Sequence, residues 1–212
     1  MPSAEIITIG TEILLGEIVD TNTRFLARAL RELGVNLFRT ITIGDNAQRI
    51  AEAIQDSMRR ADIVITTGGL GPTVDDPTRE AVALALGVET EFREELWEQV
   101  KAVIARYGRK AGENQKRQAF IPRGAIAIEN PVGTAPSFIV EFSVPSTALS
   151  GATAGSAVEG TGEGSGVRSG AIISLPGVPQ EMEYLFHHAV IPYLQKNFGS
   201  GKVEVICSIV WA

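Results

Sequence analysis

Cysteine occurs once in the 212 residues, as Cys207, and histidine twice, as the adjacent His187 and His188. One cysteine closes no intrachain disulfide, which fits a reducing, cytoplasmic setting. Neighbouring histidines on a helix point in different directions and lack metal-ligand spacing, so a structural or surface role is expected of them. Aromatic residues are sparse at 6%, and Trp97 and Trp211 read as packing residues. Basic residues are outnumbered, 19 against 25 acidic, for a net charge of −6. That balance argues against a nucleic-acid partner, because a phosphate backbone needs a basic face. No apolar run approaches the roughly 18 residues of a membrane span. The opening "MPSAEIITIG" has no basic segment followed by an apolar one, so neither a signal peptide nor a membrane partner is expected. No G-x-S-x-G with triad partners is present.

Apolar residues make up 44% of the chain and charged residues 21%, the balance of a globular domain whose core needs no staple. The first half alternates short β-rich runs with helical patterns. "EIITIG" (5–10), "NLFRTITI" (36–43) and "DIVITT" (62–67) read as strands. Residues 21–33 place Phe25, Leu26, Ala29, Leu30 and Leu33 at helical spacing, and Gly34 ends the run. Residues 46–60 place Ile50, Ala53, Ile54 and Met58 on one face behind an Asn46 cap. Residues 77–87 form a third helix closed by Gly87. This order predicts an α/β fold with a mostly parallel sheet and helices on its faces.

Beyond residue 90 the pattern loosens. A helix is expected over 93–108 and a short one over 113–121, stopping before Pro122. Three strands follow, "AIAIE", "SFIVEF" and "AIISL". The last two flank residues 143–170, rich in Gly, Ser, Ala and Thr, which read as a long hairpin tip. Residues 179–198 predict a helix kinked near Pro192. "KVEVICSIVWA" reads as a strand. The expected division is one domain over 1–198, then 199–212 as the start of a segment cut from something longer.

Ligands in open α/β sheets bind beyond the carboxyl ends of parallel strands. Four such ends carry glycine: Gly10-Thr11-Glu12, Gly44-Asp45-Asn46, Thr67 to Gly71, and Pro176-Gly177 if "AIISL" joins in parallel. The third opens "TTGGLGPTVDDPTREA" (66–81). Gly68, Gly69 and Gly71 can form an anion-binding nest, and Asp76-Pro77 reads as an N-cap and first helical residue facing the same space. The turn is not GxGxxG and lacks the Lys-Ser/Thr pair of the ATPase phosphate loop. Asp75 and Asp76 would repel a bare phosphate; a Mg²⁺ ion held by carboxylates and phosphate removes that conflict. Asp45 from the neighbouring strand end is a further ligand, and Glu80, four residues after Asp76, is expected to face the same cleft. A tight structural turn with ordinary caps is the alternative.

The stretches "IGTEILLGEIVDTN" (9–22), "GDNAQRI" (44–50), "TTGGLGPTVDDPTREA", "NPVGTAP" (130–136) and "LPGVPQEM" (175–182) resemble the MoaB/Mog-type molybdopterin-binding domain. They resemble more closely the N-terminal domain of the competence/damage-inducible protein A (CinA) family. The resemblance implies a three-layer α/β/α fold with a hairpin extension, and a homo-oligomer, dimer or trimer. It implies that Gly68, Gly69 and Gly71 hold a phosphate of the ligand; Thr73 is expected to join them, and Gly10, Glu12, Asn22, Leu70, Thr134, Pro176 and Gly177 to line the same pocket. It further implies that Asp45 and Asp76 serve magnesium-dependent chemistry; with the reading of the residues above, Asp45, Asp75 and Asp76 are the expected metal ligands and Asp45, Asp76 and Glu80 the expected catalytic acids. Members of this family are associated with metal-dependent ADP-ribose pyrophosphatase activity in this domain, so hydrolysis of a nucleoside diphosphate sugar is the expected function. A molybdopterin- or nucleotide-binding module without turnover, or a molybdopterin adenylyltransferase, is the alternative. Bacterial members often add a nicotinamide mononucleotide deamidase domain, which these residues do not include. The chain departs from the pattern at Ser137, where "GTAPGF" is expected, and in the length of 143–170.

Overall fold

A computed structural model describes residues 1–145 and 167–199. Its centre is a six-stranded sheet of order β2-β1-β3-β8-β7-β6. β1 (Ser3–Ile9) lies between β2 (Asn36–Ile43) and β3 (Ile63–Thr67), and β8 (Val167–Leu175) follows β3; all four are parallel. β7 (Ser137–Pro145) runs antiparallel to β8, and β6 (Ile126–Ile128) antiparallel to β7. The expected parallel entry of "AIISL" is therefore found.

Helices cover both faces, giving three layers. α2 (Thr21–Glu32), α7 (Pro179–Leu185) and α8 (Ile191–Phe198) pack on one face. α3 (Ala47–Met58), α4 (Thr78–Leu86) and α5 (Glu94–Arg106) pack on the other. Side chains alternate across a strand, so a doubly covered strand is apolar at every position. In β1, Ile7 and Ile9 enter the α3–α4 side while Ala4 and Ile6 enter the α2–α7 side. That is why the "IVITT" run is buried throughout. The expected helix faces are those buried: Leu26, Ala29 and Leu30 in α2, and Ile50, Ile54 and Met58 in α3. Asn46 caps α3, its Oδ1 accepting from Arg49 N at 3.0 Å.

Four expectations need correction. Residues 113–121 are not one helix: α6 (Glu113–Lys116) and a 3₁₀ turn lead into β5 (Phe120–Pro122), which pairs antiparallel with β4 (Thr90–Phe92). Phe120 and Ile121 favour extended backbone, and a partner strand far off in sequence outweighs the helical pattern before them. The hairpin arms also run further than expected, pairing out to Pro145 opposite Val167; residues 146–166 lie outside the described residues. The break in the last helix is a π-turn at Phe186–Val190, just before Pro192. A proline has no N–H to close the preceding helical ladder, and a wider turn accommodates that loss. Finally, α4 starts at Thr78 with Pro77 as its cap and no side-chain cap bond, so Asp76 is not the N-cap. Cys207, Trp211 and "KVEVICSIVWA" fall outside the described residues. His187 and His188 are exposed, as expected.

Candidate functional site

Four parallel strands put their carboxyl ends on one edge of the sheet. A cleft of about 490 Å³ opens there. Gly10, Glu12, Asn22, Asp45, Gly68, Gly69, Leu70, Gly71, Thr73, Asp75, Asp76, Thr134, Pro176 and Gly177 all line it. Of the residues the sequence nominated, Glu80 alone is not among the lining residues. It points outward and pairs with Arg117 at 3.1 Å. Because Asp76 lies before the helix, the spacing that would align it with Glu80 on one helical face does not apply.

The turn after β3 has a fixed polarity. The Gly68 carbonyl accepts from Thr78 Oγ1 at 2.8 Å, and the Gly69 carbonyl from Thr78 N at 3.1 Å. The Leu70 carbonyl accepts from Arg79 Nη2, and the Gly71 carbonyl from Arg79 Nη1 at 3.1 Å. In a trans peptide the carbonyl and the following N–H point to opposite sides. Tying the oxygens of residues 68, 69 and 70 to α4 therefore turns the N–H groups of Gly69, Leu70 and Gly71 away from it, toward the open side. No described group accepts from these three. Gly68 and Gly69 have φ of +103° and +63°, and added Cβ atoms would fall 2.1 Å from the Ile9 carbonyl oxygen and 2.3 Å from Thr78 Oγ1. Only glycine fits either place.

Arg79 was not foreseen. Its side chain is buried, at 2% exposure, and burial lowers its pKa to about 10. It stays charged at neutral pH, with Nε unpartnered. The available signal was its position: a cation in the first turn of a helix opposes the helix dipole and needs a reason.

The aspartates are held by threonines. Asp45 Oδ2 accepts from Thr11 N at 2.9 Å and Thr11 Oγ1 at 2.7 Å. Asp76 Oδ2 accepts from Thr73 N at 2.8 Å and Thr73 Oγ1 at 2.6 Å. Thr73 is thus committed to Asp76 and not free to hold a phosphate as expected. Oδ1 of each aspartate has no described donor. Asp75 is exposed at the rim. Among the described residues no three His, Cys, Asp or Glu side chains form a metal-binding group. A Mg²⁺ ion needs only one or two carboxylates and takes its other ligands from phosphate and water.

Asn22 and Gln118 bring acceptors close to the turn, and Gln118 Nε2 also reaches the Leu70 carbonyl at 3.5 Å. Asn22 Nδ2 donates to Thr67 Oγ1 and to the Gly177 carbonyl, both at 2.9 Å, and its Oδ1 is buried without a partner. Gln118 donates to Thr134 Oγ1 at 3.4 Å, and its Oε1 is likewise unpartnered. Glu181, in the first turn of α7, receives Asn130 Nδ2 at 2.6 Å. Burial pushes its carboxyl above the usual range, and the Asn130 bond offsets this only in part. Gln118 and Glu181 were both missed. Glu181 stood within the "LPGVPQEM" stretch; Gln118 lay in a segment read as plain helix.

A parallel-cored mixed sheet between helical layers, with an anion-ready turn at the end of β3, defines a MoaB/Mog-type molybdopterin-binding domain. The chain belongs to that family: the description "Probable molybdopterin binding domain" matches residues 5–196. Within it the chain is CinA-like. The CinA protein of Thermoplasma acidophilum, of unknown function, is 32% identical with a TM-score of 0.70, over 92% of this chain and 96% of that one. A competence-damage inducible protein of Alkaliphilus oremlandii is 39% identical over 209 residues, covering 97% of this chain but 45% of its own length. The chain thus spans about half the length of that relative. MoaB of Thermus thermophilus, a molybdopterin biosynthesis enzyme, shares the fold with a TM-score of 0.52 at 19% identity, over 92% of this chain and 93% of that one. No helix among the described residues is long and apolar enough to cross a membrane.

Proposed function

We propose that this domain binds a phosphorylated pterin or nucleotide, with the phosphate on the N–H groups of Gly69, Leu70 and Gly71. The observation that carries the reading is the common orientation of those three groups, imposed by Thr78 and Arg79 from behind. Membership of the molybdopterin-binding family supports a pterin as ligand. Glu12, Asp45, Asp75, Asp76 and Glu181 also line the cleft, so an anion entering it needs an accompanying cation. The ligand is accordingly expected to bind as its magnesium complex. Titration calorimetry with inorganic pyrophosphate, with and without Mg²⁺, tests this. Saturable binding strengthened by Mg²⁺ is expected, and no binding under either condition overturns it.

The free Oδ1 atoms of Asp45 and Asp76 favour a second reading, hydrolysis of a nucleoside diphosphate sugar such as ADP-ribose. A divalent ion bound there would polarise a phosphoryl oxygen and acidify a bound water. Asp45 and Asp76 would hold it, and their threonine partners would keep the carboxylates aimed. Incubation with ADP-ribose and Mg²⁺ should then release AMP, and Asp76→Asn should abolish the release with the fold intact. Pyrophosphate binding with no AMP released leaves the binding module. AMP transfer from ATP to a pterin would instead indicate an adenylyltransferase.

A further inference from the structure

We infer that a basic chamber beside the cleft, lined by Arg109 and Lys110, takes a second anionic group of the ligand, a phosphate separate from the one on the glycine turn. This rests on the nest reading above. The chamber holds about 440 Å³ and shares three lining residues with the cleft, Pro72, Gln118 and Thr134, so the two spaces adjoin. Their charges are opposite. Carboxylates line the cleft and no Lys or Arg does; Arg109 and Lys110 line the chamber and no carboxylate does. The chain builds this contrast at the end of α5. Gly108, at φ +68°, turns the backbone there, and the Arg109 N–H donates to the Ile104 carbonyl at 3.4 Å. Among the described residues neither Arg109 nor Lys110 has an ion-pair partner. Two neighbouring cations that line one space without a counter-charge repel each other, and an anion between them removes the conflict.

Gln118 joins the two spaces. It is 1% exposed, and its Nε2 reaches the Leu70 carbonyl of the glycine turn at 3.5 Å and Thr134 Oγ1 at 3.4 Å. Its Oε1 is buried without a partner. An unpaired amide oxygen in the shared wall is satisfied by a donor such as a sugar hydroxyl. The ligand class that meets these conditions is a sugar phosphate or nucleotide with two separate phosphates. One sits on the glycine turn, a hydroxyl meets Gln118, and the second phosphate meets Arg109 and Lys110. A nucleotide with a single phosphate leaves the basic chamber without its counter-charge. Both cations are exposed, so each contributes modestly. Two exposed ion pairs amount to about a ten-fold gain in affinity at low salt, which screening then erodes.

Calorimetric titration of the whole chain with pyrophosphate, AMP, adenosine 2′,5′-bisphosphate and adenosine 3′,5′-bisphosphate tests the assignment, at saturating Mg²⁺ and two salt concentrations. At least one bisphosphate should bind about ten-fold tighter than AMP at low salt, and the gain should shrink at high salt. Arg109→Gln combined with Lys110→Gln should abolish the gain, while AMP and pyrophosphate stay within about two-fold. Arg109→Lys, which keeps the charge, should retain most of it. Circular dichroism and Tm report whether each variant is folded. Bisphosphates that bind no tighter than AMP overturn the inference, as does a gain that survives in the double variant. Pyrophosphate binding without a bisphosphate gain sinks this subsite alone; failure of pyrophosphate to bind sinks the nest reading with it.

Discussion

Replacing Arg79 by glutamine removes a buried positive charge from behind the glycine turn while leaving a side chain able to donate to one or both of the Leu70 and Gly71 carbonyls. Only the far side of the turn is open to an anion. One hydrogen bond, one peptide and a second hydrogen bond separate guanidinium from phosphate, which amounts to about 8 Å. At an effective dielectric constant of ~20, unit charges at that distance attract by about 2 kcal/mol. Arg79→Gln should therefore raise the Kd for pyrophosphate by roughly thirty-fold at low salt. The variant's Tm should change modestly, because losing charge-assisted bonds and relieving the desolvation of a buried cation oppose one another. The assay is calorimetric titration of both proteins at two ionic strengths, with Tm measured in parallel. A folded variant whose Kd stays within about two-fold of wild type would refute the argument, and the turn would then act through its N–H groups alone.

Three further outcomes follow from the same geometry. Gly69→Ala forces a methyl group against Thr78 Oγ1 from a left-handed backbone; pyrophosphate binding should be lost and stability reduced by about 1–3 kcal/mol, read by urea denaturation. Desolvation opposes ionisation of Asp62, but the Ser3 N–H and Oγ and the nearby Arg168 outweigh it and hold its pKa below the usual value. Its contribution is thus present at neutral pH and lost as pH falls through that lowered value, so Asp62→Asn should reduce Tm at pH 7 and match wild type in strong acid. Glu181 has the opposite sign: burial raises its pKa above the ordinary 4.5, so the unfolded chain ionises first as pH rises. Wild type should lose stability relative to Glu181→Gln from about pH 4.5 up to the raised value and hold a constant deficit beyond it, as Tm against pH would show; parallel curves would contradict the assignment.

The fold was legible wherever pattern and burial agree. β1 and β3 read as strands because a doubly covered strand must be apolar throughout, and α2 and α3 because their apolar faces keep helical spacing. β4 and β5 escaped because three-residue strands carry too little pattern and depend on partners far apart in sequence. At the cleft, glycines at strand ends and acids beside them pointed to residues that line it. Asp76 and Glu80 were misjudged from a helix start placed too early, which shifted both the cap and the face. Arg79, Gln118 and Glu181 were hidden for a different reason. Each matters through what it touches, namely two carbonyls, a threonine and an asparagine, and such contacts exist only once the chain has closed.

The β7–β8 hairpin separates length from chemistry. Its arms meet the cleft edge at Ser137 and Leu175 and pair outward to Pro145 and Val167. At roughly 3.3 Å per residue, the nine-residue arms carry their outer ends about 25–30 Å from the cleft edge. Pro145 and Val167 thus lie at the end of the sheet opposite the cleft. The described ends of the hairpin arms are therefore the part of the sheet farthest from the glycine turns and acids of the cleft.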